Sequence, residues 1–139
     1  MALEDIFGVA GSALNAQTTR MNTTASNLAN AATVAGSEDG AFRAKRAVFK
    51  SILADQMGGD TNGGGIKVDK LIDDPSPIRK MSEPGNPVAD KDGYIYLSNV
   101  NEMTEMVEMM AASRSYQNNV EVVNTTRQLM MRTIDIIKN

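Results

Sequence analysis

From Leu3 onward, Leu3, Phe7, Ala10, Leu14, Gln17, Met21, Thr24 and Leu28 recur at alternating intervals of four and three residues. That heptad spacing keeps one face of a helix against a partner. The seam is partly polar. The same rule runs through Met106, Met109, Ser113, Tyr116, Val120, Val123, Arg127, Met130, Ile134 and Ile137, with only Ser113 and Arg127 off pattern. Two helices are predicted, the second the more regular. Asn99 followed three residues later by Glu102 is a variant capping box that predicts where the second helix begins. Glu105 near that start and Arg132 and Lys138 near the other end suit the helix dipole.

Between these ends the pattern changes. All four prolines and nine of the eleven glycines lie between residues 36 and 98, so helix breakers are scarce elsewhere. Charge divides the chain in the same way: only Glu4, Asp5 and Arg20 are charged in residues 1–35, whereas 36–101 is densely charged. Val48, Phe49, Ile52, Leu53 and Met57 predict a short helix within Ala41–Met57, although Phe42, Ala44 and Val48 also permit an extended stretch before it. A flexible loop across Gly58–Gly65 follows, then a strand in which Ile66, Val68 and Ile72 are interleaved with polar residues. Gly93–Leu97 predicts a second strand after an Asp92-Gly93 turn. The predicted fold class is α+β, with long N- and C-terminal helices packed as a coiled-coil-like pair and a small irregular β insert. Residues 1–35 and 99–139 would form a helical core, and 36–98 an outer insert.

The N-terminal seam carries five large apolar residues, Leu3, Phe7, Leu14, Met21 and Leu28. Their burial recovers less than the entropy lost in ordering the backbone around them. Ile6, Val9 and Ala13 add apolar surface in a second direction, which one partner helix cannot cover. Both ends are therefore expected to be unfolded, wholly or in part, in the free chain and to become helical as copies pack. Asn15, Asn22, Asn27, Asn30, Asn118, Asn119 and Asn124 either lie on a solvated face or fix register between helices, as a buried Asn does in coiled coils.

Composition narrows the chemistry. The 139 residues fit one domain, and 14 basic against 17 acidic residues favour neither nucleic acid nor an anionic membrane as partner. The absence of cysteine and histidine removes thiolate nucleophiles, imidazole bases and the usual zinc and copper ligands. No catalytic, cofactor-binding or metal site is expected. Glu4 and Asp5 stand where a secretory signal is basic, so no cleaved signal peptide is expected. The longest uncharged run, 21–37, is too polar for a membrane span. Gly63-Gly64-Gly65 is followed by Ile66 and Lys67, which lacks the Lys-Ser/Thr of a P-loop and favours a linker. Asp90, Asp92 and Gly93 open like a calcium loop but continue without its ligands, so an ordinary turn is expected. Asp73 and Asp74 precede Pro75 and suggest a solvated loop rather than an acid–base pair. Met103, Met106, Met109, Met110, Met130 and Met131 fit packing against varied neighbours better than a cofactor role.

Two stretches resemble a known family. Asn22-Thr23-Thr24-Ala25-Ser26-Asn27-Leu28-Ala29-Asn30 is similar to the N-terminal motif of flagellar rod and hook proteins, and Ser113–Asn124 to their C-terminal one. Val34–Ser37, Glu83–Pro87 and Asp92–Leu97 bring the resemblance closest to members of the proximal rod. Many rod and hook relatives have Asn-Thr-Pro-Gly-Tyr after the first motif, whereas this chain has Asn30–Gly36 without Pro or Tyr, a departure that argues against the hook and distal rod members. The resemblance implies a structural subunit, exported unfolded through the flagellar type III apparatus and stacked helically in the periplasm into the shaft that transmits torque. Its implied partners are other copies of itself, other proximal rod proteins, the MS-ring junction protein and distal rod subunits. The assembly interface is expected at Leu3, Phe7, Leu14, Met21, Asn27, Leu28, Asn30, Met106, Tyr116, Val120, Val123, Asn124, Met130, Ile134 and Ile137. A helical adaptor or chaperone of flagellar export is the competing reading.

Overall fold

The computed structural model describes residues 3–52 and 64–138, with side chains from Asp5 onward. Helix α1 spans Leu3–Ala29 and helix α2 spans Glu102–Lys138. At 1.5 Å per residue they are about 40 and 55 Å long. They run antiparallel: Asn27, near the end of α1, meets Glu105 near the start of α2, and Arg20, two turns earlier, meets Glu108. The fold is α+β with a helix at each end.

α1 stops at Asn30, whose side-chain amide donates to the Ser26 carbonyl at 2.8 Å and so satisfies one of the open carbonyls at the helix end. Val34–Ala35 then form strand β1. β1 pairs antiparallel with β5, Tyr94–Leu97, and β5 pairs on its other edge with β4, Arg79–Ser82. The turn into β5 follows the Asp92-Gly93 expectation, with Gly93 at φ +78°. There the Asp90 carboxylate accepts the Asp92 and Tyr94 N–H groups at 2.9 and 2.8 Å. Ile95 on β5 and Val100 beyond it are the only large apolar side chains sealed inside the fold among the described residues.

The helix expected within Ala41–Met57 is a strand instead. β2, Lys45–Ile52, pairs antiparallel with β3, Gly65–Asp73, from Lys45↔Asp73 to Ile52↔Gly65, with an irregularity between Val48 and Phe49. Val48, Phe49 and Ile52 fit either period in so short a window. The alternating partner strand, visible only across the glycine run, decides between them. Leu53 and Met57, and the loop from Gly58 to Gly63, lie outside the described residues. The hairpin lies along α1, where the Ser12 hydroxyl accepts the Ile66 N–H at 3.1 Å and donates to the Val9 carbonyl at 2.7 Å. A Cβ on Gly65 would stand 3.0 Å from that hydroxyl, so the strand approaches the helix where it has no side chain.

The cap of α2 also moves. Asn101, not Asn99, accepts the Thr104 N–H at 3.1 Å. Asn99 is occupied elsewhere: it accepts the Ala44 N–H at 2.7 Å and donates to the Asp74 and Ser76 carbonyls at 3.1 and 3.0 Å. It ties the start of β2 to the end of β3.

Candidate assembly interface

Where α1, α2 and β2 converge, the chain buries a polar cluster. Asn27 is fully buried; its amide donates to the Lys45 carbonyl at 2.9 Å and to the Glu105 carboxylate at 3.0 Å, while its oxygen accepts the Lys45 N–H at 2.8 Å. Glu105, also at 0% exposure, accepts a 2.6 Å bond from the Arg46 guanidinium. Arg46 in turn reaches Asp74 at 3.4 Å. A buried carboxylate is tolerated only when paired and hydrogen-bonded, and both conditions are met here. One amide thus reads the backbone of a strand on one side and the opposite helix on the other, which fixes the register of all three elements.

Elsewhere on the two helices the fully buried side chains are small. α1 buries Ala10, Ala16, Thr23 and Thr24, and α2 buries Ala112 and Thr126. On α2 the line Glu105, Ala112, Asn119 and Thr126 has heptad spacing and faces inward. Of the two rows of the expected α2 seam, Met109, Tyr116, Val123 and Met130 lie four residues on, about 40° from this line, and are half-buried, whereas Met106, Ser113, Val120, Arg127 and Ile134 lie one residue, about 100°, from it. Small facing side chains let helices approach closely and leave large ones at the margins. Met106 and Ile134 are accordingly about half exposed.

The expected interface residues divide by depth. Asn27 is buried; Phe7, Leu14, Met21, Leu28 and Asn30 on the first helix, and Tyr116, Val120, Val123 and Met130 on the second, are half-buried. Met106, Asn124, Ile134 and Ile137 are exposed, and Leu3's side chain lies outside the described ones. Of the seven helix asparagines singled out above, Asn27 alone is buried; Asn15, Asn22, Asn118 and Asn124 face solvent. Counting back from the Asn27–Glu105 contact at equal rise, α1 runs out opposite about residue 129 of α2. Beyond that point Met131–Lys138 are exposed all round.

Known proteins share both helical ends and the insert between them. A family model described as "Flagella basal body rod protein" matches residues 7–35, and one described as "Flagellar basal body rod FlgEFG protein C-terminal" matches residues 91–136. The flagellar basal-body rod protein FlgC of Yersinia enterocolitica is 50% identical over 136 residues, covering 98% of each chain. That of Salmonella typhimurium is 47% identical over the same coverage, and that of Buchnera aphidicola subsp. Baizongia pistaciae 35%. The chain belongs to the FlgC family of flagellar basal-body rod proteins. It is a structural subunit of that rod and not an enzyme.

Family membership fits what the acidic groups do. Asp73 pairs with Lys45 at 3.0 Å. Asp74 stands in the loop after β3, where it accepts the Ser76 N–H at 2.9 Å and a bond from the Ser76 hydroxyl. Those two bonds, hydroxyl first, with the Arg46 charge behind them, hold its carboxyl below the usual value. Asp90 is lowered chiefly by the Tyr94 N–H, and the Tyr96 phenol beside it is raised by burial and by the Asp90 charge. Each carboxylate is spent on a turn or a strand end. No helix of the described residues is long and apolar enough to cross a membrane.

Sequence reasoning did not find Arg46, Glu105 and Asp74 as one cluster, nor the Arg20–Glu108 pair between the helices. A single carboxylate on an inward heptad line is the trace that was available. Its partner lies 59 positions away and has no local sign.

Proposed function

We propose that this chain is a proximal-rod subunit whose two terminal helices form a coiled-coil-like core, completed only when neighbouring subunits pack onto it. Residues 1–35 and 99–139 supply that core and 36–98 an outer insert that sets spacing between subunits. One observation carries the proposal. The fully buried side chains of the two helices are small or polar, while Met103, Met106, Val107, Met110, Ile134, Ile136 and Ile137 of α2 are left exposed. A lone soluble helix pair does the reverse.

The chain would travel unfolded through the flagellar export apparatus and order its ends on assembly in the periplasm. Its neighbours would be further copies, other proximal rod proteins, the MS-ring junction protein and distal rod subunits. Leu3, Phe7, Leu14, Met21, Leu28, Asn30, Tyr116, Val120, Val123, Asn124 and Met130 would join the exposed α2 residues in those contacts, with Asn27 holding register beneath them. Repeated heterologous contacts build an open helical shaft without closing.

Ile134→Asp places a charge on exposed surface beyond the end of α1, so the folded chain should lose no more than about 0.5 kcal/mol. Motility and incorporation into rods should nevertheless be abolished, with exported protein still detectable. Leu28→Asp, half-buried, should do the same at greater cost to the fold. Normal swimming by both variants would overturn the proposal. Circular dichroism of the dilute chain supplies an independent check: both ends fully helical in a verified monomer would refute ordering on assembly.

A further inference from the structure

The two ends of α2 carry exposed apolar patches of different kinds. Met103, Met106, Val107 and Met110 follow i, i+3, i+4, i+7 spacing, which makes one continuous stripe. By helix rotation the stripe lies opposite Glu105 and Ala112, so it points away from the whole fold. Met103 is 72% exposed. At the far end, past the start of α1, Ile134 and Ile137, three residues apart on one side of the helix, are 48% and 78% exposed, while Ile136, at 77%, stands on the opposite side from Ile134. Ile134 and Ile137 continue the two expected seam rows of α2, which are mostly half-buried from Met109 to Met130, past the point where α1 runs out.

We infer that these patches are the two halves of one contact: the C-terminal overhang of α2 packs on the Met103–Met110 stripe of a second copy of this chain. This rests on the subunit reading above and adds which surfaces meet and in what sense. Three observations favour a head-to-tail pair over stripe on stripe or overhang on overhang. The overhang carries Arg132 and Lys138 against Asp135, whereas residues 102–110 carry only acids, Glu102, Glu105 and Glu108. Glu105 and Glu108 are already paired with Arg46 and Arg20, which leaves exposed Glu102 at the edge of the stripe as the carboxylate for an incoming base. Either like-with-like arrangement sets charges of one sign together.

Second, the patches are centred about 28 residues apart, so displacement of a copy by about 40 Å along α2 superposes them. Such a displacement leaves each copy with one stripe and one overhang still free, and the contact repeats without closing. Third, the overhang extends the α1–α2 seam, so the stripe of the next copy takes the place α1 has vacated. Methionine supplies three of the four stripe residues, and its unbranched side chain adapts to a surface that meets neighbours at slightly different angles.

The chain has no cysteine, so single introduced thiols report contacts without background. Val107→Cys and Ile134→Cys both replace exposed residues outside the polar cluster. Differently tagged chains carrying one substitution each are expressed together in motile cells, treated with diamide, and recovered from purified basal bodies. Expected is a disulfide species of twice the 14.9 kDa chain mass carrying both tags, absent when either variant is expressed alone. A dimer from either variant alone would replace head-to-tail packing by a like-with-like contact and overturn the inference. So would cross-linking only to a different protein. Incorporation with no mixed disulfide, also from the neighbouring pair Met103→Cys and Ile137→Cys, refutes this contact and leaves the rod reading standing. Unmodified chains missing from the rod fraction would instead sink the rod reading.

Discussion

Replacing Asn27 by alanine tests whether one buried amide sets the register of the fold. The truncation deletes three hydrogen bonds at 2.8–3.0 Å, two with the Lys45 backbone and one to the Glu105 carboxylate. A bond to a charged group contributes roughly 1.5–3 kcal/mol net and a neutral one about 1 kcal/mol. The Lys45 side chain is exposed, so water recovers part of the two backbone bonds, while Glu105, at 0% exposure, has no such recourse. The expected loss is roughly 2–4 kcal/mol, a large share of the 5–15 kcal/mol typical of a domain. For a chain of this length that lowers Tm by roughly 10 °C.

The assay is urea and thermal unfolding followed at 222 nm, at a concentration where the unmodified chain gives one cooperative transition. Asn22→Ala, on the exposed side of the same helix, serves as control and should stay within about 0.5 kcal/mol. Asn27→Asp preserves size and the acceptor for the Lys45 N–H, yet sets a second carboxylate against Glu105, and so should be worse than alanine. A cycle with Glu105→Gln isolates the bond between the helices, with coupling of about 1 kcal/mol or more. Equal behaviour of Asn27→Ala and Asn22→Ala, or an aspartate better tolerated than alanine, would refute a register role.

Two further outcomes follow from the insert. Gly93→Ala should cost about 1–2 kcal/mol, because φ is +78° and the added Cβ would stand 3.2 Å from the Pro84 ring; Gly85→Ala, with open space around it, should be near neutral. Equal unfolding midpoints for the two would refute the strain. Asp74 is held below its ordinary 3.8 in the folded chain, so its stabilisation is complete above that value and lost as pH falls through the lowered one. Thermal scans from neutral pH downward should show Asp74→Asn less stable at neutral pH and falling less steeply in acid; parallel curves would remove Asp74 from the acid response.

How much of this was legible in the sequence depends on how far each residue's partner lies from it. The two helices, the Gly93 turn and strand β5 rest on spacing and turn chemistry within a few residues, and those expectations hold. β2 failed because its partner strand stands beyond a glycine run, and β4, Arg79–Ser82, was missed because three of its four residues are polar. The cap was displaced by two positions because Asn99 bonds Ala44, 55 positions away, and so leaves Asn101 to start the helix. The seam of α2 is the most instructive difference. Apolar periodicity selects two rows: Met109, Tyr116, Val123 and Met130 flank the buried line of Glu105, Ala112, Asn119 and Thr126 and are half-buried, whereas the row through Met106, Val120 and Ile134 stands farther out. A sequence selected only to fold alone would place its large apolar residues on that inner line, where burial stabilises most. Here small and polar residues occupy it, and the large ones stand at the margins and on the outer face. The displaced row leaves apolar surface on α2 that the fold of one chain does not cover.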